Sequence, residues 1–404
     1  MTIYNYFMKI ITFAKLLYIK FHKTNSDIIF FSSYKNHYSD SPKYISEKLH
    51  ELYPEKKIVW VVASKRLEEL PTYVIPVLDN SYKEAFYKAR ASIYIDNVLG
   101  GKVSILTSKS LYKKLLHKLY IWCRKKGNQK CYTTWHGTPL KRMFGDQVAN
   151  NNIIDIEADD IEMIHGNSFT YGIMNHLMWG KIPMSLLGCP RNDILFNIDS
   201  TLVNTLRYRL NLPYDKKIIL YAPSFRSDGL KSNLQRSGLN QLQEIDITKI
   251  CSLLNKKFGE EWCFVCRFHY HVEKEVNWVG LKKKYGEHIK NGNIGDDMSE
   301  YLACTDILLT DVSSCMFDFA LTRKPCFIYF PDLEYYSSRE RGLYQKIEDL
   351  PFPCSTTFKG LLKNISSFDN ISYVKRIENL ITEYGYVDDG CSAERVVKFI
   401  IGRN

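Results

Sequence analysis

Short apolar runs and helical patterns alternate from one end of the chain to the other. DIIFFSS (27–33), KIVWVVA (57–63), YVIPVL (73–78) and ASIYIDN (91–97) are rich in β-branched and aromatic residues with few polar breaks, the pattern of strands buried on both faces. Between the first two, SPKYISEKLHEL (41–52) has helical spacing. It predicts a helix with Ser41 as N-cap and Pro42 at the first helical position, where a missing N–H costs nothing. KCYTTWHG (130–137) predicts a further strand running into a turn, and MSLLGCPRND (184–193) closes the series in a Gly/Pro break.

A second series follows: KKIILYAPSFR (216–226), WCFVCRFHYH (262–271), DILLTDVSS (306–314) and PCFIYFP (325–331). Helical patterns separate these strands, for example 242–257 and 299–304. Strand alternating with helix in two blocks predicts two parallel-sheet α/β domains joined near residues 183–200. The expected division is 1–190 and 191–404, with the last helix packing back on the first domain. Ligands of such sheets bind beyond the carboxyl ends of the strands, so candidate chemistry is sought there.

The 404 residues are enough for two well-filled cores, and 45% hydrophobic with 25% charged content is the balance of a soluble globular protein. The 55 basic residues against 44 acidic ones leave a net charge of +11, which implies an anionic partner: phosphate-rich substrate, nucleic acid or lipid headgroups. Mixed signs along the chain place that charge on domain faces rather than in a tail. No nucleic-acid recognition motif is present, which argues against nucleic acid. The 11 cysteines are scattered without a framework and read as reduced thiols of a cytosolic protein.

Two segments change the picture at the surface. Residues 1–22 are apolar, but Lys9, Lys15 and Lys20 interrupt them well short of the ~18–20 apolar residues that span a bilayer. SLYKKLLHKLYIWCRKK (110–126) carries a Leu/Tyr stripe with Lys113, Lys114, Lys118 and the 124–126 basic run largely off it. For both, a helix on an anionic membrane surface and a core-facing helix with a solvated basic back remain open readings.

Cys263, Cys266, His269 and His271 superficially form a zinc set. On an unbroken strand, however, side chains alternate, so the two cysteines point to opposite faces and cannot share one ion. The same alternation places Arg267, His269 and His271 on one face, where a phosphate donor would dock; surface histidines near a loop are the alternative. In the 306–325 stretch an apolar strand ends at Asp311, and Ser313 and Ser314 then open a helix. That arrangement suits a pyrophosphate, or plain helix capping. Arg226, beyond YAPS, suits phosphate oxygens or a surface carboxylate. His136, just past a strand in a Gly/Pro turn, suits general-base work near neutral pH, with Lys141 and Arg142 as guides for an anionic acceptor. A lone histidine is more often structural, and the other cation-rich strand ends are what favour chemistry.

Taken in order, TWHGTPLKR, GCPRNDILF, ILYAPSFR, RFHYH, TDILLTDVSSCMFDFAL and FPDLEYYSSRERGLY resemble the CDP-glycerol glycerophosphotransferases, which build teichoic acids and related glycerol-phosphate capsule polymers. The likeness extends over roughly residues 27–385. It implies a GT-B architecture, two Rossmann-like parallel-sheet domains facing a central cleft, with acceptor on the first and nucleotide donor on the second. It implies transfer of glycerol phosphate from CDP-glycerol to the terminal hydroxyl of an anionic lipid-linked or polymeric acceptor, with CMP released. It also implies a cytoplasmic enzyme peripheral to the inner face of the membrane, without cofactor or metal. By resemblance His136 is the base and His269 meets the donor phosphates. Ser313 and Ser314 hold the pyrophosphate beside Asp311, Glu334 lies near the cytidine ribose, and Arg341 and Gly342 form an RG pair without an assigned role. Val312 and Tyr270 depart from the tyrosine and proline frequent in the family, which keeps CDP-ribitol open as donor. A nucleotide-sugar GT-B glycosyltransferase is the competing enzyme class, and a non-catalytic polymer- or membrane-binding protein the competing role. Single addition against polymerisation, and oligomeric state, are not legible.

Overall fold

The computed structural model describes residues 14, 17–18, 20–63, 70–79, 81–98, 103–106, 128–143, 146, 155–158, 161–178, 180–224, 237–295, 297–340 and 342–403. The 110–126 helical pattern, most of residues 1–22, Arg226 and Arg341 lie outside them. The chain forms two compact units: Met1–His136, Asn152–Asp193 and Tyr386–Asn404 make the first, Gly137–Asn151 and Ile194–Gly385 the second.

The first unit is built on a seven-stranded parallel sheet in the order β3-β2-β1-β4-β6-β8-β9. Its strands are β1 (Asn25–Phe31), β2 (Lys57–Val62), β3 (Ile75–Leu78), β4 (Ala91–Asp96), β6 (Lys130–Thr133), β8 (Ile161–His165) and β9 (Met184–Leu186). β5 (Val103–Leu106) and β7 (Asp155–Ala158) form a separate antiparallel pair. Alternation along the strands divides their apolar residues between two cores. Ile29, Phe31, Trp60, Ile93 and Ile95 fall in one, and Ile28, Phe30, Val59 and Val61 in the other. Both faces being buried explains why the runs read as continuously hydrophobic.

Helix α1 (Asp40–Leu52) covers the first core with Ile45 and Leu49. Its N-cap position is Ser39, not Ser41, and no side chain caps it; the Ser41 N–H is instead taken by the Asp40 carboxylate. The C-terminal helix Ser392–Gly402 adds Val396, Val397 and Ile400 to the same core. The GCPRND segment fastens it there. Asp193 accepts the Ser392 and Ala393 N–H groups (2.9 and 2.7 Å), while Asp388 Oδ1 accepts from the Cys189 N–H (2.9 Å) and Asn192 Nδ2 (3.2 Å). Gly188 is required in that segment: its φ is +95°, and an added Cβ would stand 2.2 Å from Ser392 Oγ.

The second unit carries a six-stranded parallel sheet in the order β12-β11-β10-β13-β14-β15. Its strands are β10 (Lys217–Ala222), β11 (Trp262–Cys266), β12 (Ile289–Asn291), β13 (Ile307–Thr310), β14 (Cys326–Tyr329) and β15 (Cys354–Ser355). The helical pattern at 242–257 is two helices, Ser237–Glu244 and Ile247–Phe258; Asp246 starts the second by accepting the Lys249 N–H. Counting each main sheet's strands in chain order, both begin 3-2-1-4, the doubly wound order in which the chain reverses direction across the sheet between strands 1 and 4.

Candidate active site

The strand order reverses between β1 and β4 in the first unit and between β10 and β13 in the second. Open α/β sheets bind ligands beyond the strand ends at such switch points. In each unit the residues just past those two strands are hydrogen-bonded to one another.

In the first unit Asn97 follows β4 and is 1% exposed. Its Oδ1 accepts from the Tyr34 N–H (3.0 Å), and its Nδ2 donates to Asp40 Oδ2 (2.8 Å). Asp40 Oδ1 accepts from the Ser41 N–H (2.6 Å) and from Arg191 Nη1 (3.1 Å). Burial by itself would raise the Asp40 carboxyl. Arg191, then the Ser41 N–H, the Asn97 amide and His136, outweigh it and hold the group below its ordinary value.

His136 Nδ1 lies 3.0 Å from the Asn97 carbonyl oxygen. A carbonyl only accepts, so Nδ1 carries the proton and, in the neutral ring, Nε2 carries the lone pair. The ring itself is exposed, and its neighbour Trp135 is buried with a left-handed backbone (φ 53°). An imidazole held in one tautomer with Nε2 basic can remove a proton from a hydroxyl.

In the second unit Asp311 follows β13 and is 1% exposed. Its Oδ1 accepts from the Ser224 N–H beyond β10 (2.9 Å) and from the Val312 N–H (2.6 Å). Lys141 Nζ donates to Ser224 Oγ (2.9 Å), so Lys141, Ser224 and Asp311 meet at this switch point. The Lys141 backbone pairs antiparallel with Leu343, the Arg142 N–H donates to Gly342 O (3.1 Å), and the Tyr344 N–H donates to Leu140 O (2.8 Å). These bonds strap the TPLKR segment to the RGLY segment. Arg142, whose Nε donates to Leu343 O (3.1 Å), lines a cavity of about 800 Å³ together with Glu334, Tyr344, Lys346 and Glu348. Ser313 and Ser314 are half-buried just after Asp311, and Ser314 makes no side-chain cap to the helix Cys315–Ala320.

The sequence-based picture of the RFHYH stretch changes. β11 ends at Cys266, so strand alternation does not carry on to His271. Arg267 sits in a turn, with Nη1 donating to Gly292 O (2.8 Å) and Gly295 O (3.1 Å) and its guanidinium over the Tyr301 ring (4.6 Å). That geometry anchors the 292–295 loop. His269 is the N-cap residue of the short helix Tyr270–Glu273, and His271 falls inside that helix. Cys263 and Cys266 are both fully buried in β11, and burial pushes the Cys263 thiol up to about 11.

A family model for CDP-glycerol:poly(glycerophosphate) glycerophosphotransferase matches residues 12–402. The chain belongs to that family. Within the glycerophosphotransferases it is 29% identical over 388 residues to the teichoic acid poly(glycerol phosphate) polymerase of Staphylococcus epidermidis, covering 91% of this chain and 49% of that protein. It is 25% identical to the teichoic acid glycerol-phosphate transferase of Staphylococcus aureus, covering 93% of each. The chain thus spans about half the length of the first relative and most of the second. It resembles the solved structure of the wall teichoic acid polymerase TagF with a TM-score of 0.75 at 26% identity, over 99% of this chain and 95% of that one. The GT-B-like pairing of two parallel-sheet α/β domains expected from the sequence agrees with that likeness.

Asp40, Asn97 and Arg191 were not singled out by the sequence. Asn97 ends the ASIYIDN strand and Arg191 lies in GCPRND, so a polar residue closing an apolar run was the available signal. Asp40 carried none.

Proposed function

We propose that this glycerophosphotransferase-family protein moves glycerol phosphate from CDP-glycerol to the terminal hydroxyl of a lipid-linked or glycerol-phosphate acceptor and releases CMP, in the synthesis of teichoic acid or a related capsule polymer. The observation that carries this reading is the hydrogen bond of His136 Nδ1 to the Asn97 carbonyl, in a chain whose family model spans residues 12–402. It supports a general base whose Nε2 carries the lone pair of the neutral ring.

The acceptor oxygen forms a bond to the phosphorus that bears glycerol. The bond from that phosphorus to the CMP oxygen breaks, and the hydroxyl proton passes to His136 Nε2. Charge grows on the leaving phosphate, and His269, with the hydroxyls of Ser313 and Ser314, stabilises it. Lys141, on Ser224 Oγ, adds a cation to the same group. Asp311 does not meet phosphate, since two anions would repel; it holds the Ser224 and Val312 N–H groups in place. Arg142 and Glu334 serve at the shared cavity, where a guanidinium suits phosphate and a carboxylate suits a ribose diol.

The protein works on the inner face of the membrane, where the net charge of +11 favours anionic headgroups and an anionic acceptor. Among the described residues no helix is long and apolar enough to cross a membrane. The test is CMP release with CDP-glycerol, CDP-ribitol and nucleotide sugars, each offered with a lipid-linked and a glycerol-phosphate acceptor. CMP from CDP-glycerol alone is expected. CMP only from CDP-ribitol would change the donor, a nucleoside diphosphate from a sugar nucleotide would change the reaction, and no release from any would overturn the reading.

A further inference from the structure

Residues remote in sequence converge on one buried amide beside His136. The Asn97 side chain is fixed at both ends, by the Tyr34 N–H as donor and by Asp40 as acceptor. Those partners also decide which way the amide points, because an N–H only donates and a carboxylate only accepts. Asp40 is fixed in turn by Arg191, which is 5% exposed and whose own N–H donates to Ser41 Oγ (3.4 Å). The chain of contacts therefore runs from Arg191 to Asp40 to Asn97, and through the Asn97 carbonyl to the imidazole.

The backbone is strained on both sides of this chain. Lys35, Asn36 and Asp40 (φ 55°, 58° and 60°) and Trp135 (φ 53°) all adopt the left-handed region without being glycine. Such outliers persist only where the surroundings over-determine them, and they gather at sites that need fixed geometry. Ser39 holds the cap position without a side-chain cap, and the Asp40 carboxylate takes both the Ser41 N–H and the Asn97 amide.

We propose that Asp40 is a positioning residue for His136: held by Arg191, it clamps Asn97 so that the Asn97 carbonyl keeps the proton on Nδ1, and its negative charge steadies the ring when Nε2 accepts a proton. This rests on the reading of His136 as the base. Among the described residues, the charged side chains hydrogen-bonded in this chain of contacts are Asp40, from the start of α1, and Arg191, following β9. Asp96, one residue before Asn97, turns its carboxylate to the Val98 N–H.

The experiment measures kcat, donor KM and the pH profile of kcat/KM for CMP release, with melting temperatures, in wild type, Asp40→Asn, Asn97→Ala and His136→Ala. In Asp40→Asn we expect kcat to fall by ~10²-fold, within the range general-base catalysis supplies, with donor KM nearly unchanged. The ascending limb should move to lower pH by about one unit, because removing a nearby negative charge makes the ring easier to deprotonate. Asn97→Ala keeps the backbone carbonyl and the Asp40 charge, so kcat should fall while the limb stays in place. That variant carries the test if Asp40→Asn fails to fold; full kcat in folded Asn97→Ala would then overturn the clamp. Loss of turnover in His136→Ala, with Asp40→Asn folded and keeping both kcat and limb, overturns the positioning role and leaves the base intact. A fall in kcat with an unmoved limb and a lowered melting temperature assigns Asp40 to stability and overturns it too. Full turnover in His136→Ala removes the base reading itself.

Discussion

The two switch points are built alike in backbone and differently in chemistry. Each joins the residues past strands 1 and 4 of its sheet through a carboxylate: half-buried Asp40 to Asn97 in the first unit, buried Asp311 to the Ser224 N–H in the second. In the first, the carboxylate is paired with Arg191 and holds the Asn97 side-chain amide, while the backbone carbonyl of the same residue meets an imidazole nitrogen. In the second it bonds backbone N–H groups, and a cation, Lys141, meets the Ser224 Oγ. One arrangement decides where a proton sits. The other fixes the shape of a loop that presents hydroxyls and a lysine. The same fold thus carries a carboxylate–amide–imidazole chain at one sheet end and a carboxylate-held turn beside a lysine at the other, because side chains rather than topology set the chemistry.

The contrast breaks most directly at His136. If only the first switch point handles the proton, His136→Ala should lower CMP release by ~10³-fold, within the usual range for losing a general base. Calorimetry should find its CDP-glycerol affinity unchanged; a loss of affinity without loss of turnover would make the histidine a binding group.

Next in size is a stability effect confined to the first unit. His165, at the end of β8, is 1% exposed with neither ring nitrogen hydrogen-bonded, and burial lowers its pKa from 6.5 to about 4. The unfolded state therefore binds the proton more readily between those values, so stability is present above pH 6.5 and falls as pH drops toward 4. A shift of that size corresponds to ~3 kcal/mol. Urea titrations across this window should show the loss in wild type and a flatter dependence in His165→Met. An equal slope in both would place the acid sensitivity elsewhere.

Asp311→Ala sharpens the second half of the comparison. It orphans the Ser224 and Val312 N–H groups, which should cost about 2 kcal/mol of stability and loosen the turn after β13. An unchanged urea midpoint would mean that water replaces the carboxylate without penalty. The smallest expected effect is that of Lys141→Met. Because Lys141 meets Ser224 in the second unit, donor KM should rise about tenfold with kcat little altered. A rise in acceptor KM instead would return Lys141 to the guiding role suggested by its place next to His136 in sequence.

Much of the scaffold was legible before any coordinates. The KIVWVV and KIILYA runs are strands because residues apolar on both faces have no other stable place in an α/β fold. His136, Asp311 and the two serines were named as candidates by looking past strand ends. WCFVCRFHYH was overread: its apolar residues end at Phe268, and once the strand stops at Cys266 the two-residue period has no meaning. Arg267 then became an anchor for neighbouring carbonyls rather than a group projected from a sheet face.

By itself the sequence determined the two parallel sheets and the family and named His136 as a candidate base, because burial periodicity and ordered motifs are local properties of a chain. Only the tertiary structure decided which residues surround that histidine. Asp40, Asn97 and Arg191 are separated by 57 and 94 positions, and no spacing rule links them. They meet because parallel strands deliver all their carboxyl ends to one edge of the sheet, where a residue's neighbours are set by strand order and not by sequence distance.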